Sequence, residues 1–127
     1  MVDQRPRQRA GSVAGKRKIA YPDLSALQLC DFTRQLATLV GAGIPLLQSL
    51  DTIYKGVATQ ALGPVVRDLR MQIAAGKSLQ AGLQATGVFD SLYCQMVAAG
   101  ELAGNLDDML NRLASHTERR HQPHRKV

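Results

Sequence analysis

The sequence predicts an all-α protein, a compact antiparallel bundle of about six short helices, and three observations predict it. From residue 22 onward, apolar residues recur at three- and four-residue steps, the spacing that lines one face of a helix. Glycine, proline and capping residues interrupt that pattern at short intervals. No stretch alternates polar and apolar residues with period two for long enough to make a strand. Short turns between helices force neighbours into antiparallel packing around one shared core.

Each element has its own signals. Pro22 and Asp23 open the first helix, with Ser25 as a rival N-cap. Leu29, Phe32, Leu36, Leu39 and Val40 make its apolar face, while Asp31, Arg34, Gln35 and Thr38 fall mostly opposite. Gly41-Ala42-Gly43 stops it, because glycine accepts the left-handed conformation that closes a helix. Pro45 suits the first position of the second helix, where a missing amide hydrogen costs nothing. Leu46, Leu47, Leu50, Ile53, Tyr54 and Val57 form that helix's face. Gly63-Pro64 punctuates next, and Val65, Val66, Leu69 and Ile73 form a third helix ended by Gly76. Ser78 caps a short fourth helix with Leu79 and Leu83, which Gly87 ends. Asp90 caps a fifth, with Leu92, Met96 and Val97 inward and Gly100 ending or bending it. Asn105 caps a sixth carrying Leu106, Met109, Leu110 and Leu113, which Pro123 ends or kinks.

Charge divides the chain into three. Residues 1–18 carry six basic side chains against Asp3, and residues 112–127 carry five against Glu118. Between them lie five basic and eight acidic side chains, so the net charge of +6 belongs to the ends. Residues 1–20 therefore read as a basic, disordered arm, residues 21–121 as the helical domain, and residues 122–127 as a basic tail. A nucleic-acid binder carries its positive charge on the folded face that docks phosphate. Here that face is mildly acidic and aromatic residues are few, so no dedicated nucleic-acid role is expected. A membrane surface accounts for the same charges, since basic residues flank membrane spans on the cytoplasmic side. No run of 18 apolar residues crosses a bilayer, and no apolar stretch follows the basic N-terminus as a secretory signal requires. The domain is expected in the cytoplasm.

Candidate chemistry is sparse. Cys30 and Cys94 lie 64 positions apart without metal-type spacing. Spacing leaves a disulfide open, and the favoured reading is two small buried hydrophobes in a reducing compartment. His116, His121 and His124 sit in or near the C-terminal tail with no carboxylate shell. No phosphate-binding loop, nucleophile elbow or dinucleotide fingerprint occurs, so no catalysis and no cofactor are expected. The informative stretch runs from Met96 to Leu106. Gly100 and Gly104 either let another backbone approach or, the preferred reading, terminate two helices around a corner. Glu101, between those helices, can accept orphan amide hydrogens and face a positive helix end. Glu101, Asn105 and Asp108 also form a candidate set of calcium ligands, too few alone, which a dimer interface would have to complete.

These residues carry a likeness. Phe32-Thr33-Arg34-Gln35-Leu36-Ala37-Thr38-Leu39-Val40, followed by Gly43-Ile44-Pro45-Leu46, resembles the opening signature of the PilC/GspF family. Gly76-Lys77-Ser78-Leu79 matches its glycine–any–serine–leucine step. Phe89 through Gly104, with Val97-Ala98-Ala99-Gly100-Glu101 inside it, resembles the second signature, and Leu106, Leu110 and Leu113 continue it in register. Within these blocks the family's structural positions fall on Phe32, Gln35, Leu36, Gly43, Pro45, Leu46, Gly76, Ser78, Leu79, Phe89, Gly100, Glu101, Gly104 and Leu106. Tyr93-Cys94 tilts the likeness toward the type IV pilus branch over the type II secretion branch.

The resemblance, which covers residues 23–120, implies the N-terminal cytoplasmic domain of a multi-pass inner-membrane platform protein. Such a domain is a six-helix bundle that dimerises. Its parent couples an assembly ATPase to polymerisation of pilins or pseudopilins, alongside other inner-membrane assembly proteins. Some members bind calcium at a domain interface. The chain stops about where family members enter their first membrane helix, so a missing downstream segment is expected. The alternatives are a free-standing helical adaptor or regulator and, third, a basic-tailed nucleic-acid binder.

Overall fold

The computed structural model describes Tyr21 and residues 24–121. The basic arm, the Pro22–Asp23 opening and the tail with His124 and Pro123 lie outside the described residues. Six helices run in order: α1 (Ala26–Gly41), α2 (Leu46–Val57), α3 (Leu62–Ala74), α4 (Leu79–Thr86), α5 (Ser91–Ala103) and α6 (Leu106–His121). Among the described residues there is no strand. Each helix packs on the next, and α1 closes the ring against α6, the most extensive pairing in the bundle. The α1–α6 pair is antiparallel: Arg34, midway along α1, reaches Asn111 in α6, while Thr117 and Arg120 meet the start of α1.

One core fills the ring. Phe32 and Leu36 from α1, Leu50 and Ile53 from α2, and Val65, Val66 and Leu69 from α3 are all at most 1% exposed. Leu79 and Leu83 from α4, Val97 from α5, and Leu110 and Leu113 from α6 meet them there. Phe89 lies between Phe32 and Tyr93, with ring centroids 5.8 and 4.8 Å away, an aromatic joint between α1 and α5. Inside this joint Thr33 Oγ1 donates to the Leu29 carbonyl at 2.8 Å, which leaves the Tyr93 hydroxyl to donate to Thr33 at 2.7 Å. Burial pushes the Tyr93 phenol well above its usual range. Cys30 and Cys94 are both free thiols and both buried, the second raised above its ordinary value by burial.

Caps fix most boundaries where local chemistry predicts them. Ser25 is the N-cap of α1: its hydroxyl accepts the Gln28 amide while the Gln28 side chain accepts the Ser25 amide. The helix therefore starts from the rival cap. Ser78 caps α4 and Asp90 caps α5 through side-chain oxygens. Gly43, Gly76 and Gly87 adopt positive φ just beyond α1, α3 and α4.

Four expectations move. Pro45 is the residue before α2, with extended ψ, and the helix starts at Leu46. Gly63 and Pro64 do not precede α3 but lie in its first turn, since Leu62 already begins it. Proline is tolerated there because first-turn amides lack helical acceptors, and a Cβ on Gly63 would come within 2.7 Å of the Val57 and Ala58 carbonyls. Leu92 is not inward: it is 52% exposed, and Tyr93 fills the core position instead. Finally, α5 neither ends nor bends at Gly100 but runs on to Ala103.

Candidate functional site

The corner that joins α5 to α6 is built from the residues between Gly100 and Asp108. Gly104, with φ +77, closes α5, and the Asn105 amide donates back to the Gly100 carbonyl at 3.0 Å. This is a six-to-one closure that needs a residue free to turn left-handed. Gly100 has a different job from Gly104. A Cβ there would sit 2.8 Å from Met109 Cβ and 3.2 Å from Leu106 Cα, so α6 crosses directly over it. The Gly100–Gly104 pair is thus one close approach and one terminator, rather than two terminators.

Glu101 does not sit between helices as expected, but in the last turn of α5. Its carboxylate reaches α4, where Oε2 accepts the Leu79 amide at 2.7 Å and Oε1 accepts the Gln80 amide at 3.1 Å. Ser78 Oγ takes the next amide, Ala81, at 3.0 Å. The first three amide donors of α4 are thereby satisfied, two of them by a carboxylate placed at the positive end of the helix. Close seating of α4 is also aided by Gly82, where a Cβ would approach Leu69 Cδ1 to 2.8 Å. Glycine, serine and glutamate from separate stretches of sequence converge on one joint.

Asn105 and Asp108 lie at the same corner and are both exposed, one just before α6 and one in its first turn beside Asp107. Both Glu101 oxygens already accept amide hydrogens from α4. Among the described residues no group of three or more His, Cys, Asp or Glu side chains is placed to hold a metal ion.

A second polar assembly joins the ends of the chain. Arg34 makes a two-pronged ion pair with Glu118, Nε to Oε2 at 2.7 Å and Nη2 to Oε1 at 2.8 Å. Its Nη1 donates to Asn111 Oδ1 at 2.9 Å. The geometry is the fork that guanidinium and carboxylate favour. The hydrogen bond from Arg34 holds the Glu118 carboxyl below the ordinary glutamate range, and the same bond raises Arg34. A third strap is Tyr21, whose hydroxyl donates to Asp68 Oδ2 at 2.8 Å. Burial and that bond both push the Tyr21 phenol up.

The remaining signature positions serve packing or turning. Phe32, Leu36, Leu79 and Phe89 are buried, while Leu46 and Leu106 pack on the core from its edge. Gly43 and Gly76 turn the chain, Ser78 caps, and Gln35 faces solvent. Sequence reasoning missed the Arg34–Glu118 and Thr33–Tyr93 contacts, which join residues 84 and 60 positions apart. One signal for the first was available, since Glu118 is the lone acid of the basic stretch 112–127.

Six helices braced by caps, one carboxylate joint and one ion-pair seam define a packing and contact module. Residues 32–127 match the sequence model of the family described as type II secretion system (T2SS), protein F, and the chain belongs to that family. It is 42% identical over 89 residues to the type IV pilus assembly protein PilC of Pseudomonas aeruginosa, covering 69% of this chain and 24% of that protein. It is 40% identical over 126 residues to the type II secretion system protein F of Vibrio cholerae, covering 95% of this chain and 29% of that one. To the protein of that name from Aeromonas hydrophila it is 41% identical over 104 residues, 81% of this chain and 27% of the relative. The chain thus spans 24–29% of the length of these relatives. Both branch names recur at similar identity, and Tyr93 and Cys94 are buried packing residues.

Proposed function

We propose that this chain is a cytoplasmic domain of an inner-membrane platform protein for pilus or pseudopilus assembly, acting by protein contact and force transmission rather than catalysis. The observation that carries the reading is the Glu101 joint. The most distinctive signature residue is spent tying α5 to α4, while its neighbour Gly100 seats α6. A family signature that braces helices, with no reacting group beside it, suits a part that must keep its shape under load. Interlocked side chains transmit displacement because packed interiors compress little. A push on one helix face would then reach the end of α6 through the α1–α6 seam.

In this reading the face away from the membrane receives the assembly ATPase, and a second copy of the domain packs alongside. The direct test is capture of the cognate ATPase by this chain and by its full-length parent, with sedimentation of the chain to read self-association. Capture by either supports coupling, and failure of both removes it. A calcium ion held by Glu101, Asn105 and Asp108 would have to share or displace the α4 amides. A calcium titration that leaves the Leu79 and Gln80 amide shifts unmoved would count against that ligand set.

A further inference from the structure

We propose that the last two turns of α6, from Ser115 to His121, form a latch that opens as a unit while the rest of the bundle stays folded. The Arg34–Glu118 pair sets how often it opens. This concerns which part of the fold yields first, and it stands independently of the platform reading. A helix end peels away where apolar burial stops and solvent-exposed polar contacts are what hold it.

Burial ends abruptly along α6. Leu110, Leu113 and Ala114 are at most 1% exposed and belong to the core. The seven residues that follow, Ser115-His116-Thr117-Glu118-Arg119-Arg120-His121, include no apolar side chain. Ser115 through Glu118 are half-buried, and Arg119 and Arg120 are exposed. The Thr117 hydroxyl donates to the Ala114 carbonyl of its own helix at 3.0 Å, so that bond ties nothing to α1. The hydrogen bonds that do cross from this stretch to α1 all come from Arg34.

Arg34 straddles the pivot. Its Nη1 holds Asn111, ahead of Ala114, while Nε and Nη2 grip Glu118 one turn beyond it. The first contact survives opening and the second breaks. Both side chains of the ion pair are more than a third exposed, so water competes for them and opening costs little. The movement has a chemical signature. Thr117 and Arg120 line a cleft of about 230 Å³ together with Leu29, Cys30 and Phe89. Cys30 is 3% exposed, and swinging the end of α6 outward removes the wall beside it. Cys94 is equally buried at 2% but belongs to the continuous core, so it is uncovered only when the bundle unfolds.

The test is the rate at which iodoacetamide alkylates each cysteine of the folded full chain, resolved by peptide mass spectrometry and repeated across sub-denaturing urea. Cys30 should react about tenfold faster than Cys94 or more, at a rate that barely responds to urea, because latch opening exposes little surface. Glu118→Ala and Arg34→Gln should each speed Cys30 about two- to fivefold, the range an exposed ion pair contributes. Glu101→Ala weakens a joint at the far end of the bundle that an open latch leaves intact. It should speed Cys94 about fivefold or more and leave Cys30 unchanged. Equal rates at the two cysteines, with equal urea dependence, would overturn the proposal, because global unfolding would then be the route to both. An unchanged Cys30 rate in Glu118→Ala and Arg34→Gln would also overturn it, since fraying at the start of α1 would then be what uncovers the thiol. So would a Cys30 rate that Glu101→Ala raises as much as that of Cys94.

Discussion

Where α4 and α6 begin, three successive amides of α4 meet side-chain acceptors, and a glycine lets α6 rest on α5. At the opposite end, where α1 and α5 begin, each helix is capped by its own residue, Ser25 or Asp90, and leucines face water. The first end is stitched by a carboxylate reaching across from another helix. At the second, each helix start keeps its own cap, and α1 and α5 are joined there by the Phe89 ring and the Thr33–Tyr93 bond. A helix start satisfied from afar ties its element to the fold, while one satisfied by its own cap leaves the surrounding surface free to meet a partner. The contrast separates the part of this domain that keeps shape from the part available for contact.

The comparison can be broken hardest at the stitched end. Leu79 is fully buried at the first position of α4, so Leu79→Ala should cost about 2–5 kcal/mol in a denaturant titration. Gly100→Val would drive a side chain into Met109 and the Leu106 backbone, and should cost about 1–3 kcal/mol as overpacking. A loss near zero would mean that α6 can lift off α5 freely. Next is Glu101→Ala, which orphans the Leu79 and Gln80 amides and should cost about 1–3 kcal/mol. Hydrogen exchange sharpens this case, because protection should fall first at those two amides. Unchanged exchange there would show that water replaces the carboxylate without loss.

Smaller effects belong to the seam and to the locally capped end. The Arg34 and Glu118 side chains are 37% and 38% exposed, so Glu118→Gln should cost less than about 1 kcal/mol at neutral pH. Glu118's folded-state pKa is depressed, so the pair's stabilisation is complete above the ordinary glutamate value of 4.5 and disappears as pH falls through the folded-state value. Stability curves of wild type and Glu118→Gln should therefore converge below that range, and curves that stay parallel would remove the pair as the cause. Least affected is Leu92→Ser, expected within about 0.5 kcal/mol of wild type because the side chain is half exposed. A large loss there would erase the distinction between the two ends.

Much of the fold was legible because its signals are local. Ser78 and Asp90 bond amides three residues on, and Gly76 and Gly87 sit where the chain must turn left-handed, so sequence alone places those boundaries. Periodicity failed where a helix is apolar around most of its circumference. In α5, Leu92, Tyr93, Met96, Val97 and Leu102 spread around the helix and leave little but Ser91 and Gln95 to mark the outward side, and Leu102 proves 92% exposed. Gly63-Pro64 was misread as a break because both residues suit loops, yet both also suit a tightly packed first turn. The site was half legible. A carboxylate capping a helix was foreseeable from the Gly-Glu corner, but which helix it caps was not.

The sequence by itself determined about six helices, most of their turns, the core residues of five of them and the concentration of positive charge in the two termini, because each depends on neighbours a few positions away. Only tertiary structure decided that Glu101 serves α4, that Gly100 and Gly104 have unlike tasks, and that Arg34 joins Glu118 across the closing seam. Those outcomes depend on which helices lie side by side, and ring closure brings together residues that no local spacing relates.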